Sequence, residues 1–255
     1  MKKFQNTINK FLGVLGLGLF LLIWQGLSMS SLIPSYMLPG PIEVFNALMG
    51  DFYLLLSHAR VTLTEAILGL GIGLLIGFIT ALIMDYFDIF YKMTFPLLII
   101  SQTIPTIAIA PLLVLWFGYD MSAKVVLIVI ATFFPITIGL LDGFKSIDPD
   151  ILKLFKSMGA SRLQTLIYAK LPHVKPYFFA GLRISASYCI VGGVIAEWLG
   201  GFQGLGVYMT RVRKSYSFDK MFASIILISL LSLILIKLVD YIQKLSMPYL
   251  NNKGE

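Results

Sequence analysis

The sequence predicts an all-α, polytopic membrane protein with six transmembrane helices. Of its 255 residues, 58% are hydrophobic and 13% are charged, and the mean hydropathy is +0.87. Soluble domains carry about 25% charged residues, so this composition is typical of a membrane protein. Six apolar runs close to the length of a bilayer follow one another along the chain. We therefore expect a single transmembrane domain that covers residues 1–255.

The first apolar run, residues 11–33, is longer than the core of a signal peptide, and we interpret it as an uncleaved helix. After a proline-rich segment, Pro41 and Glu43 open an amphipathic helix that is expected to reach about Ser57. The prolines of the third run and Pro135 in the fourth predict kinked helices. The remaining spans are predicted at residues 65–84, 95–117, 123–141, 177–199 and 221–241.

The distribution of Lys and Arg predicts the orientation. With the N-terminus in the cytoplasm, the cytoplasmic segments hold more of these residues than the outer ones, as the positive-inside rule requires. The Arg211–Lys214 cluster lies outside and runs against that rule. The net charge of +7 is spread between apolar runs, without a patch that combines bases with aromatics, so we expect no nucleic-acid partner. Both termini and a polar loop at residues 142–176 are therefore predicted in the cytoplasm.

Two short helices are predicted within this loop. Asp148 and Pro149 are an N-cap and a first helical residue, and Gly159 is expected to end the helix. Ser161 and Gln164 have the spacing of a capping box and start a second helix, which Pro172 is expected to close.

The first loop helix carries an apolar stripe and is too short to span a bilayer. Its side chains fall at i, i+1, i+4 and i+7: Ile151, Leu152, Phe155 and Met158. Such a helix on the water-facing side of a membrane protein is typical of a knob that docks into a groove of a partner. The alternative is a helix that lies flat on the lipid surface.

Small residues recur every four positions in the second span, at Gly69, Gly73, Gly77 and Ala81. A stripe of this kind allows two helix backbones to approach closely, so it predicts helix packing.

The third span combines hydroxyl and amide side chains with prolines. Prolines in a membrane helix free backbone carbonyls, and irregular backbone is tolerated where it lines a cavity. A translocation pathway is therefore predicted from Ser101, Gln102, Thr103 and Thr106. The alternative is that the hydroxyls bond back to their own helix.

The fifth span offers two further pathway residues, Tyr188 and Glu197. Glu197 precedes a glycine-rich turn at residues 200–206 near the predicted outer end of the span. A carboxylate is costly inside a bilayer, so Glu197 is predicted to contribute to an outer gate or to contact an external protein. The alternative is a carboxylate that faces water.

Motifs for catalysis are missing from the sequence. It has no G-x-x-x-x-G-K-[ST] and no H-E-x-x-H, and no Ser or Cys has a plausible base partner. The two histidines fall on opposite sides of the membrane in the predicted topology. We therefore expect no catalytic residues, no metal site and no nucleotide site in this chain.

The polar loop resembles the cytoplasmic coupling loop of binding-protein-dependent ABC importer permeases. In that family the pattern reads E-A-A, three residues, Gly, nine residues, I-x-L-P. Here Gly159, Leu171 and Pro172 match, whereas Lys153-Leu154-Phe155 replace E-A-A and Ala169 replaces Ile. The resemblance implies that the loop contacts an ATPase through Ile151, Leu152, Phe155, Met158, Gly159, Ala160, Ser161, Leu171 and Pro172.

Other stretches resemble the nitrate, sulfonate and taurine branch of the family over nearly the whole chain. They are residues 37–41, 101–105, 115–119 and 197–200. Within this branch, residues 101–105 and 204–211 look most like permeases for a thiamine-precursor pyrimidine (hydroxymethylpyrimidine) or for riboflavin.

The resemblance implies the type I ABC importer permease architecture in a bacterial cytoplasmic membrane. Two copies of the chain would work with two ABC ATPase subunits, which bind ATP and Mg, and with an extracytoplasmic substrate-binding protein. The chain itself would bind no cofactor. The expected cargo is a small polar organic solute, with nitrate, sulfonate or taurine as the alternative. An ion-coupled secondary transporter is the other class considered, but it would be expected to show an inverted repeat and charges near the midplane.

Overall fold

The computed structural model of the protein describes residues 2–30, 34 and 36–248 and is built from helices. In chain order these are α1 Lys2–Met29, α2 Pro41–Gly50, α3 Phe52–Tyr86, α4 Asp88–Thr103, α5 Thr106–Phe117, α6 Met121–Lys145, α7 Pro149–Ser157, α8 Arg162–Thr165, a π segment Leu166–Lys170, α9 Leu171–Leu199, α10 Leu205–Lys214 and α11 Phe218–Ser246.

The all-α membrane class is confirmed. Within the described part of the chain, four helices are long and apolar enough to cross a membrane: Phe52–Tyr86, Met121–Lys145, Arg162–Leu199 and Phe218–Ser246. A fifth crossing is formed if α4 and α5, which meet at an angle of 98°, count as one broken span. The apolar part of α1, Leu15–Met29, is shorter, and the predicted end of the first span at Ile33 lies outside the described residues. Six spans therefore stay a prediction.

Two predicted boundaries differ from the structure around Asp51. The amphipathic helix α2 ends at Gly50 rather than near Ser57, and α3 begins at Phe52, well before the predicted Glu65. The Asp51 carbonyl accepts from the Leu55 N–H at 2.8 Å and so opens α3. Hydropathy marks the apolar part of a helix, whereas its hydrogen bonds continue beyond that part.

Among the described residues, those of 2–58 and 208–227 form one compact unit. Its core contains the buried residues Val44, Ala47 and Ala223. Trp24 packs against Phe222 with ring centroids 5.9 Å apart, and its indole N–H donates to the Pro39 carbonyl at 3.1 Å. α1, α2 and the start of α11 are thus packed together within this unit.

Asp51 is the polar centre of the same unit. Its carboxylate accepts from the Tyr208 hydroxyl at 2.6 Å and pairs with the Lys220 ammonium at 2.9 Å. The hydrogen bond from Tyr208 and the contact with Lys220 lower the pKa of Asp51. Burial and the same bond raise the pKa of Tyr208. Asp51 therefore stays ionised and ties the start of α3 to α10 and α11.

Among the described residues, 59–207 and 228–248 form the second compact unit, in which α3 packs closely against α6. A Cβ on Gly69 would lie 2.5 Å from the Ile128 Cβ, and a Cβ on Gly73 would lie 2.2 Å from the Thr132 hydroxyl oxygen. A Cβ on Gly77 would lie 2.9 Å from the Phe133 carbonyl oxygen of α6, and Ala81 is fully buried in the core. The small-residue stripe thus lies at a helix interface where backbones approach each other.

α6 makes a second close contact, with α9. A Cβ on Gly181 would lie 2.4 Å from the Pro135 carbonyl oxygen. The Ser185 hydroxyl donates to the Thr132 carbonyl at 2.6 Å. Around these contacts lies an apolar core that includes Leu140 and Phe144 of α6. α6 is therefore the central helix of this unit.

We expect Gly69→Ala to destabilise the protein, because the new methyl group meets the Ile128 Cβ, which no rotamer change can move. Overpacking of this kind costs about 1–3 kcal/mol, which is measured as a lower midpoint of thermal unfolding in detergent. Gly71→Ala is the matched control, since Gly71 lies on the same helix with open space around it. Equal midpoints for the two variants would contradict this packing.

Candidate functional site

The loop between α6 and α9 begins with a capped short helix, α7. The Asp148 carboxylate accepts from the Asp150 N–H at 2.9 Å, and Pro149 is the first helical residue. The next helix, α8, starts with a reciprocal capping box, in which the Ser161 N–H donates to the Gln164 side chain at 2.8 Å and the Gln164 N–H donates to the Ser161 hydroxyl at 3.2 Å. Both predicted helix starts are confirmed.

A Schellman motif ends α7 at Gly159. The Ala160 N–H donates to the Phe155 carbonyl at 3.0 Å and the Gly159 N–H donates to the Lys156 carbonyl at 3.1 Å. Gly159 has φ +75°, a left-handed conformation, and no atom lies within 4 Å of its would-be Cβ. A side chain here would therefore be opposed by the backbone conformation and not by a neighbour.

One side of the loop is seated on the chain's own core. Ile147 is buried there, and Leu152, Leu166 and Leu171 pack against the same core cluster. Leu152 and Leu171, both expected at the ATPase contact, are thus partly buried against their own chain, and their contact with a partner stays a prediction. On a helical wheel Leu152 lies about 100° from Ile151, so adjacent apolar residues cannot share one narrow stripe.

The other side of the loop is an exposed apolar surface. Met158 is 75% exposed and Leu154 57% exposed, and the half-buried Phe155 lies beside them on the wheel. We call the exposed apolar side chains of the loop together the apolar loop surface; they are Ile151, Leu154, Met158, Leu163, Ile167 and Tyr168. The sequence analysis did not include Leu154, Leu163, Ile167 and Tyr168 among the exposed apolar residues of the loop. The i+3 spacing from Ile151 does indicate Leu154.

The sequence predicts that Pro172 closes the second loop helix, but in the structure the helix does not end there. The helix continues from Arg162 to Leu199 through the π segment that ends at Lys170. In a regular helix Pro172 would leave the carbonyl four residues earlier without a donor and would clash with it. Here the Leu171 N–H donates to the Leu166 carbonyl, five residues back, and this wider turn accommodates the proline.

The predicted third span is broken rather than kinked. α4 ends at Thr103, Ile104 and Pro105 are extended, and α5 starts at Thr106. Gln102 and Thr103 are exposed at the break, and Ser101 and Thr106 are partly buried. The Ser101 and Thr103 hydroxyls donate to carbonyls three residues back. These two hydroxyls therefore bond back to their own helix, as the alternative interpretation of the span expects.

α5 is anchored beyond the break. Its Ala110 and Leu113 are buried with Leu127 of α6 and Ala196 of α9. Tyr188, the predicted pathway residue on α9, is half exposed. The structure therefore fixes α5 against the central helices and leaves polar groups of the break at the surface of the chain.

Glu197 is not water-facing, because only 1% of it is exposed. Its carboxylate accepts from the Thr62 hydroxyl at 2.7 Å and from the Gly206 N–H at 2.6 Å. The Leu205 N–H donates to the same Thr62 hydroxyl oxygen at 2.9 Å. Glu197 thus ties α3, α9 and the glycine-rich turn together.

A buried ion pair lies one turn along α3 from Thr62. The Lys124 ammonium donates to the Glu65 carboxylate at 2.7 Å, and both side chains are almost fully buried. The sequence analysis assigned no functional role to either residue. No residue spacing could reveal this pair, because the partners lie on different helices. Among the described residues, no group of three or more His, Cys, Asp or Glu side chains is placed to hold a metal ion.

Comparison with known proteins identifies the family. Residues 73–250 match the family model described as "Binding-protein-dependent transport system inner membrane component". A probable ABC transporter permease protein of Haemophilus influenzae is 39% identical over 88% of this chain and 92% of its own length. The formylaminopyrimidine transport permease protein ThiX of Halalkalibacterium halodurans is 34% identical over 91% of this chain and 92% of its own. The taurine transport system permease protein TauC of Escherichia coli is 28% identical over 86% and 82%.

A solved structure supports the fold. The chain superposes on a chain of the MetNI methionine ABC transporter with a TM-score of 0.68 and 17% identity, over 76% of this chain and 97% of that one. That likeness confirms the type I importer permease architecture. The chain belongs to the family of binding-protein-dependent transport system inner membrane components and is an ABC importer permease subunit.

Proposed function

We propose that this chain moves a small polar organic solute across the bacterial cytoplasmic membrane, and that a thiamine-precursor pyrimidine is the favoured cargo. We also propose that the loop between α6 and α9 contacts an ATPase. One observation supports this contact above all others: the chain exposes the apolar loop surface, while Leu152 of α7 packs on the core. The preference for a pyrimidine rests on the sequence resemblance and on the similarity to the relative named for formylaminopyrimidine.

The assembly we propose contains two copies of this chain, each with six spans and both termini in the cytoplasm. Two ABC ATPase subunits bind ATP and Mg and hydrolyse the nucleotide, and an external binding protein delivers the solute. The chain itself supplies no catalytic group. Alternating access then requires that movement of the ATPases reaches the spans through the loop between α6 and α9.

The apolar loop surface has the chemistry that such a contact needs. Each side chain that leaves water contributes about 1.5–3 kcal/mol when fully buried. Leu154 and Met158 are the largest exposed contributors on α7. The caps at Asp148 and Gly159 hold the helix in shape before the partner arrives, so less ordering entropy opposes docking.

The break between α4 and α5 is the proposed lining of the pathway. Residues 101–106 carry hydroxyl and amide groups, and none of their side chains is ionisable. Amide and hydroxyl groups suit a solute with ring nitrogens and hydroxyls, whereas a sulfonate or nitrate would favour a nearby cation. The break therefore supports a neutral polar cargo over the anionic alternatives.

An ion-coupled transporter is disfavoured by the position of the buried charges. Glu197 is close to the end of α9 at Leu199, and Lys124 is close to the start of α6 at Met121. Both thus lie near the ends of their spans, whereas a coupling-ion site would be expected near the midplane.

Met158→Asp should release the ATPase, because it places a charge in the apolar loop surface. Met158 is 75% exposed, so the isolated permease should keep its unfolding midpoint. The measurement is co-purification of the ATPase with the permease from detergent. Ser157→Asp is the matched control, since it adds the same charge on the flank of α7 and should retain the ATPase. Full retention by Met158→Asp would contradict the docking surface.

Gly159→Val should reduce transport per ATP or block assembly, whereas Gly159→Asn should be close to the unmodified protein. A left-handed residue costs a side chain about 1–2 kcal/mol, and Asn tolerates that conformation better than a β-branched residue does. The measurement is solute uptake and ATP hydrolysis in proteoliposomes. Transport by the Val variant at the unmodified rate would show that this backbone turn is dispensable.

Gln102→Leu should lower the rate of uptake of labelled hydroxymethylpyrimidine, because it removes a donor and an acceptor from the break. The affinity of the isolated binding protein should be unchanged, since that protein is not altered. Uptake is measured in cells that express permease, ATPase and binding protein, with taurine as the competing cargo. Faster uptake of taurine than of the pyrimidine would overturn the proposed cargo, and an unchanged rate would remove Gln102 from the pathway.

A further inference from the structure

The loop makes two contacts with neighbouring residues in the last turn of α3. The Lys170 ammonium donates to both carboxylate oxygens of Asp85, at 2.7 and 2.8 Å. The Arg162 guanidinium lies 5.3 Å from the centre of the Tyr86 ring, within the range of a cation–π contact. Since α3 ends at Tyr86, both loop cations meet the negative end of the helix dipole.

Burial sets the Lys170–Asp85 pair apart from exposed pairs in the same unit. Its side chains are 21% and 16% exposed, whereas those of Lys92 and Asp88 are 72% and 75% exposed. Exposed pairs are screened by water and salt and contribute little. Removal of one partner from a partly buried pair leaves a charge without compensation, so this pair resists separation.

The two ends of the ion pair belong to elements of different character. Lys170 is the last residue of the π segment, a kind of turn that is frequent at functional sites. Asp85 is on α3, which the close glycine contacts between residues 69 and 77 hold against α6, so a displacement of Asp85 acts on a firmly packed helix.

The packing next to the ion pair includes a cavity. It has a volume of about 230 Å³ and lies against Asp85, and Met84, Tyr91 and Phe144 contribute to its lining. Met84 and Phe144 also belong to the apolar core, so the last turn of α3 is joined to the core beside this cavity.

We propose that the Lys170–Asp85 ion pair, assisted by Arg162 on Tyr86, passes displacement of the apolar loop surface to α3. Both members are positioning residues, since neither touches solute or nucleotide. The inference rests on the proposed function, because only an ATPase bound to the loop would displace it. The ion pair joins the loop to α3 by charge, in addition to the covalent connection of the loop to α6 and α9.

The test uses the assembled transporter in proteoliposomes and measures uptake and ATP hydrolysis in the same sample. Asp85→Asn and Lys170→Met should each lower uptake per ATP about tenfold while ATPase stays bound, as expected for coupled neighbours. The charge swap Asp85→Lys with Lys170→Asp should recover most of the ratio. Lys92→Met, in the exposed pair on α4, is the control and should leave the ratio unchanged.

The midpoint of thermal unfolding distinguishes a merely structural role of the Lys170–Asp85 pair from the proposed role in transmission. If the single variants lower only that midpoint and keep uptake per ATP, the proposal is overturned, and it is also overturned if the swap restores the midpoint but not the ratio. Failure of the proposed function looks different. In that case Met158→Asp would leave the ATPase bound and uptake intact, whatever the Asp85 variants do.

Discussion

The close approach of α6 to its two neighbours is the constraint on which the second unit depends. Apolar side chains gain little from association inside a bilayer, so helices there associate through short-range packing and hydrogen bonds. Gly69 and Gly73 bring α3 against α6, and Gly181 brings α9 against it. The Ser185 hydroxyl adds a hydrogen bond to the α6 backbone. Because one helix serves both interfaces, the ends of α3 and α9 are positioned together.

Polar clusters at the two ends of this helix layer follow from that arrangement. At one end lie the Glu65–Lys124 pair and the buried Glu197 carboxylate, which fixes the glycine-rich turn. At the other end Lys170 bonds to Asp85. Charges removed from water are costly unless they are paired, so each cluster favours one register of α3 against α6 and α9. One cluster lies where the loop joins the spans, and the other lies where α9 meets the turn.

Local sequence signals predicted local structure well. The caps at Asp148 and Ser161, the turn at Gly159 and the apolar spans depend on residues that are neighbours in the chain. Three features could not be predicted in this way, because each depends on packing between separate helices. They are the burial of Leu152 against the core, the π segment before Pro172 and the ion-pair partner of Lys124. The break at Ile104 was predicted only as a kink, since the prolines of that span do not specify how far the helix axis turns.

The departure from the family pattern in the loop has a physical consequence for the partner. Leu154 and Phe155 stand where the pattern has two alanines. Leu154 is exposed and Phe155 half buried, so the loop presents larger side chains than alanines would at the same positions. A groove that closes around alanine leaves no volume for them, because packed interfaces tolerate little added volume. On the proposed function, we expect an ATPase that docks on this loop to have a groove with more volume at Leu154 and Phe155 than alanines would require.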